Sequence, residues 1–416
     1  MKKGLSNTYK EYKNSEIHWL GKIPKHWEVR RVKDLAEYQS GEYINANEFD
    51  EANIYPVYGG NGFRGFSEKY NTNGDYILIG RQGALCGNIN YAKGKFWATE
   101  HAVVVYKKKN INTEWFGEFL RVMNLNQYAL ATAQPGLSVE KIKRVELVLP
   151  SFEEQNEIGK FINHYTNIID KKVSLLETKV GYYKALCKTL IHETVCRGLN
   201  KNVPLKESDI AWIGEIPKHW AVKRFKEVCY RNHTGGTPQT TSRQHFEGHN
   251  VWITISDIDD TKFVGNTSKL KLTNEAIQEA NIPISPKGSL LYSFKLTLGK
   301  IAFTTQDLYT NEAIISILPN RKIDLRYCYY MLPIFLLLNA SENIYGAKML
   351  NQRQIGNALL TVPPVEEQTA IADYLDNKTN TIDAILTNIT KQIEGLKELR
   401  KTLINDVVTG KLKVTE

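Results

Sequence analysis

Residues 15–35 read SEIHWLGKIPKHWEVRRVKDL, and residues 208–228 read SDIAWIGEIPKHWAVKRFKEV. Twelve of these 21 positions are identical at a constant offset of 193. A second matched pair follows each of them. Residues 149–170 read LPSFEEQNEIGKFINHYTNIID and residues 362–383 read VPPVEEQTAIADYLDNKTNTID, now at an offset of 213. The offset grows by 20 between the two matches, so the second middle is longer than the first. Shared ends around unlike middles predict one scaffold, repeated in tandem, that carries two different readers.

The second matched pair opens a helix. Pro150 and Pro363-Pro364 end the preceding strand-like runs, and Ser151 to Glu154 has the spacing of a capping box, with Glu153 and Glu154 at the positive end of the helix dipole. Apolar residues then recur every seven positions at Ile162, Ile169, Leu176, Tyr183 and Leu190, each followed four residues on by Thr166, Val173, Val180, Cys187 and Thr194. The same register returns at Leu375, Ile382, Ile389, Leu396 and Leu403, with Thr379, Leu386, Ile393, Arg400 and Val407 beside them. Heptads in register predict two long helices that share a seam as an antiparallel coiled coil. The alternative is a pair of amphipathic helices, each lying on its own domain. Gly159, Gly181 and Gly395 weaken such helices by about 1 kcal/mol each without breaking them. A helix over residues 152–195 spans roughly 65 Å at about 1.5 Å per residue, which reads as a spacer.

Composition sets looser bounds. A chain of 416 residues holds two or more domains. No apolar run reaches transmembrane length, and the basic start MKKGLSNTYKEYKN (1–14) has no apolar stretch behind it, so it reads as an extension rather than a signal peptide. Five cysteines without a CxxC pair fit reducing conditions, which leads to the expectation of a cytoplasmic protein without a membrane partner. A net charge of +9 favours an anionic partner, nucleic acid first.

The chain has no GxxxxGK[ST] phosphate loop, no strand–GxGxxG–helix fingerprint and no [DN]PP[YFW] motif, and its nine histidines assemble into no Ser/His/Asp set. The chemistry to expect is therefore binding, not catalysis. One metal-like spacing remains, Cys229-x3-His233 followed by His245-x3-His249. The turn-rich GGTPQTTSRQ between the pairs speaks against zinc, and the reading adopted is no metal, with the three histidines exposed or hydrogen-bonded in a polar loop.

W-x-G-x-I-P-x-x-W opening each half, a variable middle, and P-x-x-E-E-Q leading into a long helix together resemble the specificity subunit of type I restriction–modification systems. The second middle adds GGTPQTT (235–241), HFEGHNVWITISDI (245–258), LTLGKIAF (296–303) and YTNEA (309–313). The first carries a variant form in YPVYGGNGFRGF (55–66), ILIGRQGALCGNINY (77–91) and ATEHAVVVYKKK (98–109). The resemblance implies a non-catalytic subunit that docks two methyltransferase subunits and, for cleavage, nuclease and translocase subunits. Those partners would use S-adenosylmethionine, ATP and magnesium, and the assembly would be an adenine methyltransferase and ATP-dependent deoxyribonuclease; this chain itself calls for no cofactor.

The expected fold is α+β: a basic extension (1–14), a mixed α/β recognition domain (15–150), a spacer helix (151–200), a second recognition domain (201–363) and a second spacer helix (364–416). Short helical pieces are expected around residues 114–130 and 325–338. A seam from residue 162 to 190 spans about 42 Å, close to the roughly 34 Å of one DNA turn, so two unlike readers would see a split, asymmetric site on double-stranded DNA. Base reading needs Arg for guanine, Asn or Gln for adenine and small hydroxyls for either. The candidates are Asn61, Arg64, Arg81 and Gln82 in the first domain, and Thr237, Gln239, Thr241, Arg243, Gln244, Ser293 and Lys295 in the second. Lys107, Lys108, Lys109, Lys141, Lys143 and Arg144 suit phosphate. The pairs Trp19/Trp27 and Trp212/Trp220 read as packing, because readers of different half-sites need not share side chains. Gln155 and Gln368 are assigned to helix capping and subunit contacts. Two other classes stay open: the specificity half of a split or fused restriction–methyltransferase, and a protein scaffold without a DNA role.

Overall fold

The computed structural model describes residues 8–83, 85–129, 136–259, 261–265, 268, 270–342 and 348–414. It divides into two compact units, Met1–Thr178 with Ile389–Glu416, and Lys179–Asn388.

Unit 1 is built on two sheets. Strands β1 (Glu28–Arg31), β2 (Ala36–Ser40), β3 (Tyr55–Gly59), β4 (Gly62–Ser67), β5 (Thr72–Asn73), β6 (Tyr76–Gly80), β7 (Ile89–Ala92), β8 (Lys95–Ala98) and β9 (Ala102–Lys107) lead to helix α1 (Thr113–Val122) and strand β10 (Glu146–Leu149). The main sheet has the order β2-β9-β6-β7, and the second has the order β4-β3-β8-β5. The run Ile77-Leu78-Ile79 and the run Val103-Val104-Val105 are buried on both faces, for a period-2 reason. Ile77, Ile79, Val103 and Val105 join the core with α1, while Leu78 and Val104 meet Phe96 and Ala98 of the second sheet. The chain then pairs β1 with β10, joining the two ends of the variable middle.

Helix α2 (Phe152–Arg197) follows, 46 residues long. Unit 2 repeats the plan with β11 (Ala221–Arg224), β12 (Asn232–Thr234), β13 (Asn250–Ile253), β14 (Phe263–Val264), β15 (Lys271–Leu272), β16 (Leu290–Ser293), β17 (Ile301–Thr304), β18 (Tyr309–Thr310), β19 (Ile314–Ile317), α3 (Leu325–Leu338), β20 (Leu359–Val362) and α4 (Val365–Val408). Its sheets are β12-β19-β16-β17-β14 and β15-β13-β18, and β11 pairs with β20. The first short helix ends at Val122, earlier than expected, because Asn124 turns into a left-handed conformation before a 3-10 turn at Leu125–Tyr128.

The long helices pair antiparallel inside each unit. In unit 1, Arg400 meets Asp170 at 3.0 Å and Lys397 meets Glu177 at 3.3 Å, so one number rises as the other falls. Ile162 there shares a core with Ile404, Val407 and Val408. In unit 2, Val195 and Cys196 share a core with Ile371 and Leu375. Ile162, Ile169, Leu375, Ile382, Ile389 and Leu403 are buried, and Leu176, Tyr183, Leu190 and Leu396 are half-buried, so the heptad register is the one read from the sequence. No described helix is long and apolar enough to cross a membrane.

Candidate nucleic-acid interface

In both units a glycine lets separate loops converge at one end of the main sheet. After β2, a β-carbon on Gly41 would lie 2.1 Å from the Ala98 carbonyl oxygen; after β12, one on Gly235 would lie 1.9 Å from that of Thr310. Any other residue would push the loops apart. The next amides close the contact, Glu42 N–H donating to Ala98 O at 3.0 Å and Gly236 N–H to Thr310 O at 2.9 Å. The hairpin loop after the central strand emerges at the same end. Gly80 and Asn88 close it in unit 1, with Gly80 N–H donating to Asn88 O at 2.8 Å and Gly87 N–H to Gly80 O at 2.7 Å. Ser293, Gly299 and Lys300 repeat this pattern in unit 2, where Ser293 N–H donates to Lys300 O at 2.9 Å and Gly299 N–H to Ser293 O at 3.0 Å.

Unit 1 brings three of its candidates together. Asn61, at the β3–β4 turn, accepts from Asn88 Nδ2 at 3.1 Å. Arg81 donates from its guanidinium to Ser40 Oγ at 3.3 Å, and its amide donates to His101 O at 2.9 Å. Gln82 is exposed beside it and bridges to Gly136 through the backbone. Arg64 stands on β4, exposed, with its guanidinium 5.8 Å from the Phe49 ring centre. Lys107 and Lys108 do not join them. In β9, Ala102 pairs with Gly80 but Lys107 pairs with Ala36, five residues and about 17 Å along the strand. Lys109 follows them. Lys141 and Lys143 are tied locally, to Tyr128 O and to Glu140. Side chains that sequence reasoning passed over also stand here: Ser40, Asn88 and His101, and the exposed aromatics Tyr43 and Phe63. Tyr43 occupies the place of Thr237, two residues past the packing glycine in each unit, a match visible only once Gly41 and Gly235 are aligned.

In unit 2 an exposed segment carries Thr237, Gln239, Thr241, Arg243 and Gln244. Trp252 Nε1 pins its base by donating to Gly236 O at 3.1 Å, and the Thr237 hydroxyl donates to Glu312. Arg243 and Gln244 begin a 3-10 turn, Arg243–Phe246. Ser293 has a different role from the one expected. It is fully buried, donates to Thr297 O at 2.6 Å and accepts from Lys300 N at 2.9 Å, so its hydroxyl holds the hairpin closed. Lys295 is exposed, with its ammonium 5.8 Å from the Phe294 ring centre.

The zinc-like residues go separate ways. Cys229 is buried beside Cys328, whose thiol is pushed well up by burial and then by that neighbour. His233 faces the Ile284 carbonyl at 3.1 Å, and burial lowers its pKa; His245 lies 3.4 Å from Glu279. Among the described residues no group of three or more His, Cys, Asp or Glu could hold a metal ion.

The repeated segments act as matched staples in the two units. Glu154 Oε2 accepts from Trp27 Nε1 at 3.0 Å and lies 3.0 Å from His26 Nε2, while Glu154 Oε1 accepts from Tyr9. Glu367 Oε2 repeats this with Trp220 Nε1 at 3.0 Å and His219 Nε2 at 2.7 Å. Gln155 accepts from the Asn112 amide, the N-cap of α1, and donates to Pro150 O; Gln368 does the same with Asp324, the N-cap of α3, and Pro363 O. Ser151 Oγ does accept from the Glu154 amide at 3.2 Å, but the Glu154 carboxylate turns to Trp27 instead of completing the capping box. The glutamines thus cap the short helix of their own unit and join it to the long one. Trp27 and Trp220 are fully buried, and Trp19 and Trp212 pack against Phe119 and Phe335, as expected of structural tryptophans.

Comparison with known proteins matches this frame. The family model for the type I restriction modification DNA specificity domain matches twice, over residues 24–177 and 217–395. The chain is 40% identical over 162 residues to the type I restriction enzyme EcoprrI specificity subunit of Escherichia coli, a match spanning 38% of this chain and 39% of that relative. It is 23% identical to the MjaVIII specificity subunit of Methanocaldococcus jannaschii across 98% of this chain and 97% of the relative. A chain solved in work on the assembly and conformational transition of a type I system aligns with TM-score 0.71 at 15% identity, covering 93% of this chain and 98% of that one. The HsdS subunit of Thermoanaerobacter tengcongensis aligns with TM-score 0.53 at 15% identity over 93% and 98%. With two family matches that cover the repeat and both recognition middles, the chain belongs to the type I restriction–modification DNA specificity domain family.

Proposed function

We propose that this chain reads a split, asymmetric site on double-stranded DNA, one half-site per unit, as the non-catalytic specificity subunit of a type I restriction–modification complex. The observation that carries the reading is the paired loop cluster. The same glycine-closed frame presents Asn61, Arg81 and Gln82 in unit 1 and the segment from Thr237 to Gln244 in unit 2. Conserving the frame while changing the donors is what two readers of unlike sequences require. Lys107 and Lys108, away from these loops, suit phosphate rather than bases. Helix α2 holds a set of apolar side chains that the seam leaves uncovered: Ile168 and Leu175 in unit 1, Tyr182 and Leu186 in unit 2. Ile168, Leu175 and Tyr182 stand seven residues apart and Leu186 four further on, the spacing of a second helical stripe, and we assign them to two methyltransferase subunits, with nuclease subunits joining for cleavage.

The test is methylome sequencing of cells carrying the chain with its methyltransferase. Replacing residues 36–147 with the corresponding region of a relative should change one half of the modified sequence only, and replacing 229–360 should change the other. A swap that altered both halves would end the two-reader proposal. The purified chain alone should bind duplex DNA with an affinity that falls steeply with salt and should not methylate it; turnover by the isolated chain would favour the fused-enzyme reading.

A further inference from the structure

The hairpin between β16 and β17 carries a side chain that folding does not explain. Leu296 is 96% exposed and holds φ at +59°. In that left-handed region the β-carbon crowds the following carbonyl, so a leucine there is strained, and an exposed one recovers nothing by burial. The hairpin does not need it as an anchor. Phe294 and Leu298 on either side pack against the unit's core, Gly299 sits against Leu337, and Lys300 Nζ donates to Ile255 O at 3.0 Å. Counting from the closing residues Gly80 and Ser293, the third position is Gly83 in unit 1 and Leu296 in unit 2. Gly83 holds φ at +88°, with nothing within 4 Å of where its β-carbon would stand. Unit 1 thus fills this backbone conformation with the residue that favours it, and unit 2 fills it with leucine. The loop also leaves the sheet beside the Thr237 segment: Phe294 N–H donates to Ala313 O and Gly235 N–H to Ile314 O. Lys295 adds an exposed cation next to the leucine.

We propose that Leu296 is a specificity-determining residue of unit 2, making an apolar contact with a base of duplex DNA while Lys295 meets the adjoining phosphate. The contact has one of two forms, packing on a thymine methyl group in the major groove or wedging against an unstacked base step. The inference rests on the DNA-reading function proposed above. Strain held at an exposed loop tip, with the foot of the loop fixed by Ser293 and Lys300, is how a contact residue is kept pre-positioned at the expense of local comfort.

The experiment uses the full chain in complex with its methyltransferase subunits, on duplexes bearing the site found by methylome sequencing. L296G should keep or raise the melting temperature, lose about tenfold in affinity, relax the methylated sequence at one position of the unit 2 half-site, and leave the salt dependence unchanged. K295A should instead lower the slope of log affinity against log salt by about one and leave sequence preference intact. Uracil in place of a thymine in that half-site should reproduce the L296G loss if the contact is to a methyl group. A 2-aminopurine signal that rises on binding of the wild type and not of L296G marks the wedge. L296G that matches the wild type in affinity and methylated sequence overturns the inference alone. A wild-type complex with no sequence preference overturns the DNA-reading proposal and this inference with it.

Discussion

Glu154 shows how much a single carboxylate holds in this fold. It is buried, takes hydrogen bonds from Trp27 and from Tyr9 on two separate segments, and lies 3.0 Å from His26 Nε2. Glu367 has the tryptophan and histidine partners but not the tyrosine, because the position matching Tyr9 is Asn202. Removing an acceptor strands a buried indole N–H, so E154A should cost about 2–4 kcal/mol in urea unfolding. E367A should cost less, and equal losses would contradict the staple. Burial also pushes the Cys196 thiol up to about 12, from an ordinary value of 9.0. A thiol raised on folding contributes stability that is fully present below pH 9 and is lost as pH rises toward 12, since the unfolded chain releases its proton first. Unfolding midpoints should therefore fall between pH 9 and 10 by roughly 1 kcal/mol more in the wild type than in C196S. None of this was legible in composition. Repetition marked Glu154 and Gln155 as important, but their partners lie on other segments, and sequence spacing had suggested the nearer helix end instead.

At the scale of elements, the two long helices were the most legible part of the fold, because a seam repeating every seven residues constrains burial at each step. The seam positions Ile162, Ile169, Leu176, Tyr183 and Leu190, and Leu375, Ile382, Ile389, Leu396 and Leu403, are all buried or half-buried. Their glycines looked alike in sequence and differ in space. A β-carbon on Gly159 would lie 2.6 Å from Asn112 Oδ1, whereas Gly181 and Gly395 have nothing within 4 Å. G181A and G395A should each stabilise by about 0.5–1 kcal/mol in chemical denaturation, while G159A should destabilise by displacing the α1 cap. If G159A stabilised as the others do, the close approach of α1 to α2 would be disproved. The recognition loops were legible only in part. Asn61, Arg81 and Gln82 stand beside glycines already in the sequence, but strand order decides which end of a sheet a loop leaves from. That order separates Lys107 from Arg81, hydrogen bonds across the hairpin foot turn Ser293 inward, and Leu296, proposed above as a contact, has none of the polar donors by which base readers stand out in a sequence.

At the scale of the molecule, unit 1 is assembled from residues 1–178 and 389–416, with Ile404, Val407 and Val408 completing the core around Ile162. On the ribosome this makes the first segment to emerge one of the last to finish. Between residues 178 and 389 the ribosome adds 210 residues, which at roughly 5–20 per second leaves the nascent unit with an open core for about 10–40 s. Residues 179–388 carry all of unit 2 and can close while that wait continues. A stop codon after residue 388 should accordingly leave unit 2 resistant to limited proteolysis and unit 1 readily cut; equal resistance would show that unit 1 folds without its late helix. Synthesis order then runs against folding order, and the apolar surface awaiting Ile404 and Val407 is where a chaperone would be expected to hold the growing chain.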